Sequence, residues 1–269
     1  MQSLVVNTKH LWRVWRASLR AGLIREMEFR GNFIAGLIRQ ILFLGIFVFF
    51  INVIFQNTEQ LAGWQQHEML LILALSRIIE GVINLLFTES IMRLPEAVRD
   101  GTFDFYLIRP LPAQFSAAFR RPGVDNFGNI LVGLILFAYA ISAMTTFPSF
   151  SSIGLLLFLS ALGITIYYSL LILVSSLVFR LERLEMLWAF NILFSEPLTV
   201  PFDIFSRAPR FVLTYLVPIA FVVFVPAQAI TGRLQWSQIP VAIGIAALFL
   251  TLANLAWRAG LRKYSSASS

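Results

Sequence analysis

The sequence predicts an all-α polytopic membrane protein, and three observations carry that prediction. The 269 residues are 58% hydrophobic and only 13% charged, with a mean hydropathy of +0.78, whereas a soluble domain is about 25% charged. Apolar runs long enough to cross a bilayer as helices recur along the chain. The short segments of alternating polarity that build a membrane β-barrel do not occur. The chain has no cysteine, which excludes a disulfide framework and thiol chemistry. Its formal net charge is +7. In a chain this apolar, excess arginine marks cytoplasmic loops and lipid headgroup contacts and gives no sign of nucleic acid.

Residues 1–32 are polar and basic and predict a cytoplasmic helix lying at the membrane surface. Lys9, Arg13, Arg16 and Arg20 recur on one stripe, and Trp12, Trp15, Leu19 and Leu23 on the next. Val14, Ala17, Ser18 and Ala21 form a small-residue face. Arginine over headgroups with tryptophan at the interface is the pattern of an in-plane helix whose partner is membrane lipid. The first apolar run, 33–55, is too long for a signal-peptide core and no small-residue cleavage site follows it, so it reads as a retained span. Further spans are expected at 69–91, 127–147, 153–179, 186–202 and 238–260. The fourth carries no charge from Ile153 to Phe179.

Phe211 to Ala229 is also long enough to cross, but Pro218 and Pro226 break it twice. Charge arbitrates. With six spans and the N-terminus inside, 16 of the 21 basic residues face the cytoplasm and three face outward. A full crossing at 211–229 would change this to 14 against five. The positive-inside rule therefore favours six spans, both termini cytoplasmic, and residues 203–232 as a re-entrant outer hairpin covered by protein. The transmembrane domain then occupies 33–263, followed by a disordered tail, 264–269. A prokaryotic cytoplasmic membrane is the expected location.

Several function classes lack their residues. The chain has two lysines, Lys9 and Lys263, and neither lies in a phosphate-binding GxxxxGK[ST] loop. His10 and His67 are far apart with no acidic cluster around either, so no metal site is expected, and His67 with Glu68 reads as a solvated pair. No catalytic constellation can be assembled. The second span does carry charge: Arg77, Glu80, Asn84 and Thr88 fall at i, i+3, i+7 and i+11 on one face. Arg77 and Glu80 can neutralise each other there; unpaired, each would cost several kcal/mol in hydrocarbon. Such a face lines a transport pathway or holds helices or subunits together. Glu196, beside Pro197 near the end of the fifth span, is a further pathway candidate.

The segment between the second and third spans, 92–125, is too elaborate for a connector. Gly101 is placed to end a helix, Asp104 to cap or pair with Arg109, and Pro110 and Pro112 to forbid a helix through them. Exposed Phe and Tyr beside charges would form a protein docking surface, with Phe103, Phe105 and Tyr106 as its anchors.

"RDGTFDFYLIRPL", Arg99 to Leu111, resembles the R-x-G-x-[LF]-D-x-x-L-x-[RK]-P-L signature of a group of ABC-2-type transporter permeases. "VPAQAITG", Val225 to Gly232, is similar to that group's P-A-x-x-[LI]-x-G before the last span. The resemblance covers nearly the whole chain. It implies a non-catalytic permease, most relatives being exporters. It has no cofactor of its own, ATP and magnesium residing on a separate ATP-binding subunit present in two copies. It also implies a second permease chain, identical or related. A coupling helix within 92–125 would dock on the ATPase through Glu96, Arg99, Asp100, Gly101, Phe103, Asp104, Phe105, Tyr106, Arg109 and Pro110. The competing expectations are an ATP-independent transporter or channel, which would show broken helices in inverted repeats, and a membrane scaffold.

Overall fold

In a computed structural model, residues 8–28, 30–144, 147–181, 187, 189–192 and 196–264 are described, the side chains of Thr8, Arg180, Leu181, Glu196 and Pro197 excepted. Among these residues the protein is helical apart from one isolated antiparallel bridge, Leu61 to Trp64. The helices are α1 (Thr8–Glu28), α2 (Arg30–Gln56), α3 (Gln66–Ile83), α4 (Glu89–Met92), α5 (Leu94–Arg99), α6 (Asp104–Leu107), α7 (Ala113–Phe119), α8 (Phe127–Ser142), α9 (Phe150–Ser176) and α10 (Val178–Leu181). They continue as α11 (Arg207–Phe211), α12 (Phe224–Ile230) and α13 (Gln238–Leu261).

Five stretches are long and apolar enough to cross a membrane: Arg30–Gln56, Gln66–Arg99, Val124–Ser142, Phe150–Ser176 and Gln238–Leu261. They overlap the first four expected spans and the last. Of the span expected at 186–202, residues 186, 188 and 193–195 lie outside the described residues; the rest shows helix at 189–192 and a 3-10 turn at Glu196–Thr199, with no continuous span among the described residues. Arg207–Leu216 and Ile219–Ile230 form a sixth apolar pair, bent by 73°. Pro218 at the bend cannot donate a backbone N–H, and the chain turns there. The bundle has a proximal end, which carries residues 92–125, and a distal end, which carries the bent pair.

α3 is the centre of the bundle. Leu70 to Leu75 are all buried, as expected of a helical stretch apolar all round. It packs mainly on α8, and glycine permits the approach: a Cβ on Gly133 would meet Ile78 Cγ1 at 2.8 Å, and one on Gly81 would meet Ile130 Cγ1 at 2.7 Å. Small residues at such a crossing are how helices associate where lipid gives no hydrophobic drive. α9 packs on α13 and on the bent pair, with Gly163 under the backbone of Phe221 and Val222. α2 lies at the periphery, only 6% of its apolar window being buried against 61% for the window at α3.

Candidate functional site

At the proximal end, residues 92–125 are mostly helical. α5 starts with Pro95 in its first turn, where a missing N–H costs nothing. It stops where the sequence indicated: Gly101 is left-handed, φ +70°. The turn closes with Asp100 N–H to Glu96 O at 2.9 Å and Phe103 N–H to Ala97 O at 2.9 Å. Pro112 precedes α7, so the proline pair interrupts a helical segment without abolishing it.

This turn throws Phe103 inward, and here one expectation is corrected. Phe103, taken as a docking anchor, is 0% exposed. Its ring lies 5.1 Å from Tyr264, 5.2 Å from Phe179 and 5.5 Å from Tyr106, with Trp257 at 6.5 Å. A side chain with no surface cannot be the contact itself; it ties the segment to α10 and α13. Tyr106 is half-buried, with the Arg120 guanidinium 5.0 Å from its ring centroid. Phe105, by contrast, is 58% exposed, and Leu107 and Ile108 beside it are 44% and 77% exposed.

Asp104 begins α6 without a side-chain capping bond; its carboxylate accepts from the Tyr264 hydroxyl at 3.0 Å. Burial and then this contact raise the Tyr264 phenol above its ordinary value. Residue 264, expected in a disordered tail, is thus packed on the segment, while 265–269 lie outside the described residues. Arg99 and Asp100 form an exposed pair at 3.2 Å. Arg109 and Pro110 are exposed, Arg109 lining a cleft against α1 with Val14, Ser18 and Gly22. α1 packs through Val14, Ser18 and Gly22, the last fitting against Val124, whereas Ala17 and Ala21 of the small-residue face are exposed. Arg13, Arg16, Arg20 and Trp12 stay exposed, Trp15 is half-buried, and the two indoles stack at 5.1 Å.

The polar face of α3 is present but does not run straight. Arg77 and Glu80 pair at 3.2 Å, and the Arg77 guanidinium sits 5.7 Å from the Phe43 ring centroid. From Asn84 to Thr88 the helix takes one π turn, a form that recurs at functional sites. Thr88 is turned onto its own backbone, donating to Ile83 O at 3.4 Å, and is buried. Asn84 reaches Asn126 at 3.4 Å. A cleft of about 460 Å³ opens here, lined by Asn84, Thr88, Glu89, Glu96, Asn126 and Asn191 among others. Two sets of residues singled out in the sequence, the α3 face and the segment through Glu96, therefore meet in one polar cleft. The Glu196 side chain lies outside the described residues.

Sequence reasoning missed the distal network. Glu68, read as solvated, is buried: it accepts from Gln65 N–H at 2.9 Å and pairs with Arg233 at 2.8 Å. Arg233 also lies 4.6 Å over Trp64. The Trp64 indole donates to Asp203 at 2.9 Å, and Asp203 pairs with Arg210 at 2.6 Å. Trp64 and Asp203 are 139 residues apart and Glu68 and Arg233 are 165 apart, so no local pattern marks these two links. Asn126 and Asn191 were missed for the same reason. Among the described residues, no group of three or more His, Asp or Glu side chains assembles that could hold a metal.

A family profile described as "ABC-2 family transporter protein" matches residues 41–268. No match was found among curated proteins or among solved structures.

Proposed function

The chain belongs to the ABC-2 family of transporter proteins, and on that premise we propose that it is the membrane-embedded permease of an ATP-driven exporter. The family match and the multiple apolar helices make it a multi-pass membrane protein and the permease component of an ABC transporter, which in general works with an ABC ATP-binding partner. The finer reading is ours. Two ATP-binding subunits, carrying ATP and magnesium, dock at the proximal end beneath two permease chains in a prokaryotic cytoplasmic membrane, with both termini cytoplasmic. α1 lies in the membrane interface, its arginines and Trp12 turned to lipid. The bent pair 207–230 is a re-entrant cap on the outer side.

The observation that carries the reading is the exposed apolar triplet Phe105, Leu107 and Ile108 on a segment pinned to the bundle by Phe103. Exposed apolar side chains beside charges mark a protein contact. Because Phe103 reaches Phe179, Trp257 and Tyr264, movement of the docked ATPase is delivered to α10 and α13 together. ATP shifts the permease only so far as the docked states contact α6 differently. The polar cleft at Asn84 and Glu96 is the inner mouth of the pathway, and the substrate is an amphipathic or lipid-like molecule.

The test is a mild-detergent pull-down from native membranes with mass spectrometry. An ABC ATP-binding protein should co-purify near equal amount with the native chain and be lost when Phe105, Leu107 and Ile108 are changed together to Ala. A chain recovered without any ATPase overturns the reading.

A further inference from the structure

We propose that the cavity between the bent pair and the start of α13 binds an amphipathic anion, a phosphate-bearing headgroup with an apolar tail. The inference concerns a resting binding site and does not depend on the transport reading.

The cavity measures about 370 Å³. Arg207 and Arg210 stand on its rim, and no carboxylate lines it. Arg210 is held by Asp203 at 2.6 Å; Arg207 makes no ion pair among the described residues and is exposed. The rim is therefore net positive, and an arginine fork matches phosphate geometry. Gln228 lines the same cavity, is more than nine-tenths buried, and its amide oxygen has no hydrogen-bond partner. A buried polar atom left unmatched is destabilising and calls for a partner. An amide turned about its last bond offers either an acceptor or a donor, so it can meet a phosphoryl oxygen or a headgroup hydroxyl. The remaining wall is mixed, buried Phe221 and Phe224 giving it an apolar part and Thr214, Gln235, Ser237 and Gln238 a polar one.

The setting is that of a lipid headgroup. Trp236 and Tyr215, both well exposed, flank the cavity, and aromatic side chains of this kind sit at headgroup level. The first amides of α13 are already taken, Gln238 N–H by Gln235 O at 2.9 Å and Ile239 N–H by Trp236 O at 3.3 Å. Recognition therefore falls to the side chains of Arg207 and Gln228 and not to the helix terminus.

The test uses the full chain in zwitterionic-lipid nanodiscs, titrated separately with dioctanoyl phosphatidic acid, inorganic phosphate and dioctanoylglycerol. Saturable binding of the phosphatidic acid is expected, at least tenfold tighter than either of the other probes and weakened by added salt. Arg207→Gln and Gln228→Leu should each weaken it about tenfold, whereas Arg262→Gln at the opposite end of α13 should not. Arg207 is exposed and makes no ion pair among the described residues, so its variant leaves the fold intact even if Gln228→Leu does not. Inorganic phosphate binding as tightly overturns the amphipathic ligand, and dioctanoylglycerol binding as tightly overturns the anion. Equal weakening by Arg262→Gln reduces the effect to surface charge and overturns the site, as does the absence of saturable binding.

Discussion

At the proximal end α6 is joined to the bundle by one buried aromatic, Phe103, with the Tyr264–Asp104 hydrogen bond beside it, while the rest of the segment is also held by polar contacts, Gln114 to Tyr168 and Asn254 and the Arg121 N–H to Ser90 Oγ. At the distal end the bent pair is cross-linked to α3 and its preceding loop by Glu68–Arg233, Trp64–Asp203 and Asp203–Arg210, with Phe224 against Trp64 at 5.6 Å. Apolar contact is non-directional and tolerates tilting; paired charges and hydrogen bonds fix one register. On the proposed reading, this contrast lets α6 shift with a docked partner while the distal end holds still. It also explains why the exposed apolar side chains Phe105 and Ile108 sit only a few residues from a fully buried one.

The sharpest way to break this contrast is Phe103→Ala. Removing a fully buried phenylalanine costs about 3–5 kcal/mol, so thermal melting of the detergent-purified chain should fall steeply and ATPase docking should be lost with it. A Phe103→Ala chain that melts normally would sink the idea that the segment hangs from this residue. Next in size is Glu68→Ala, which leaves Arg233 without its carboxylate. Arg233 is partly solvated, so about 2 kcal/mol is expected, below the cost at a fully buried pair. Proteolysis should then cut preferentially near residues 203–234, while the proximal end stays protected; uniform cleavage would argue against a distal lock.

Tyr264→Phe removes one hydrogen bond and should cost about 1 kcal/mol, read as a small drop in melting temperature. Its pH dependence has a defined sign. The folded state raises the phenol's pKa, so the contribution is complete below the ordinary phenol value and disappears as pH climbs through the raised one. The native chain and the Tyr264→Phe variant should therefore converge in alkali. The smallest effect on stability is expected from Phe105→Ala with Ile108→Ala, within about 0.5 kcal/mol, although the pull-down should lose its ATPase. Cysteines at Asn84 and Thr88 sharpen the comparison further: a water-soluble reagent should label the first and leave the buried second unlabelled, and equal labelling would show the π turn to be absent.

Much of the fold was legible because hydropathy and length are local properties. The spans, the helix stop at Gly101 and the break at Pro218 each follow from a residue's own stereochemistry or from a contiguous apolar run. The charged pair Arg77–Glu80 was legible for the same reason, its partners being one helical turn apart. Which aromatic of "FDFY" points inward was not, because Phe103, Phe105 and Tyr106 are chemically alike and only the left-handed turn at Gly101 decides among them. Asn84 and Thr88 were placed on one face by a 3.6-residue period, and the π turn between them shifts that register.

By itself, then, the sequence determined a polytopic helical membrane protein of the ABC-2 type, its broken pair near the C-terminus, and the segment that interrupts its spans. Only the tertiary structure decided that Phe103 is core and Phe105 surface, that Glu68 is buried against Arg233, and that Gln228 faces a cavity beside two arginines. The physical reason is range. Burial and pairing in a bundle are set by residues from about twenty to well over a hundred positions apart, brought together by helix packing that no local periodicity encodes.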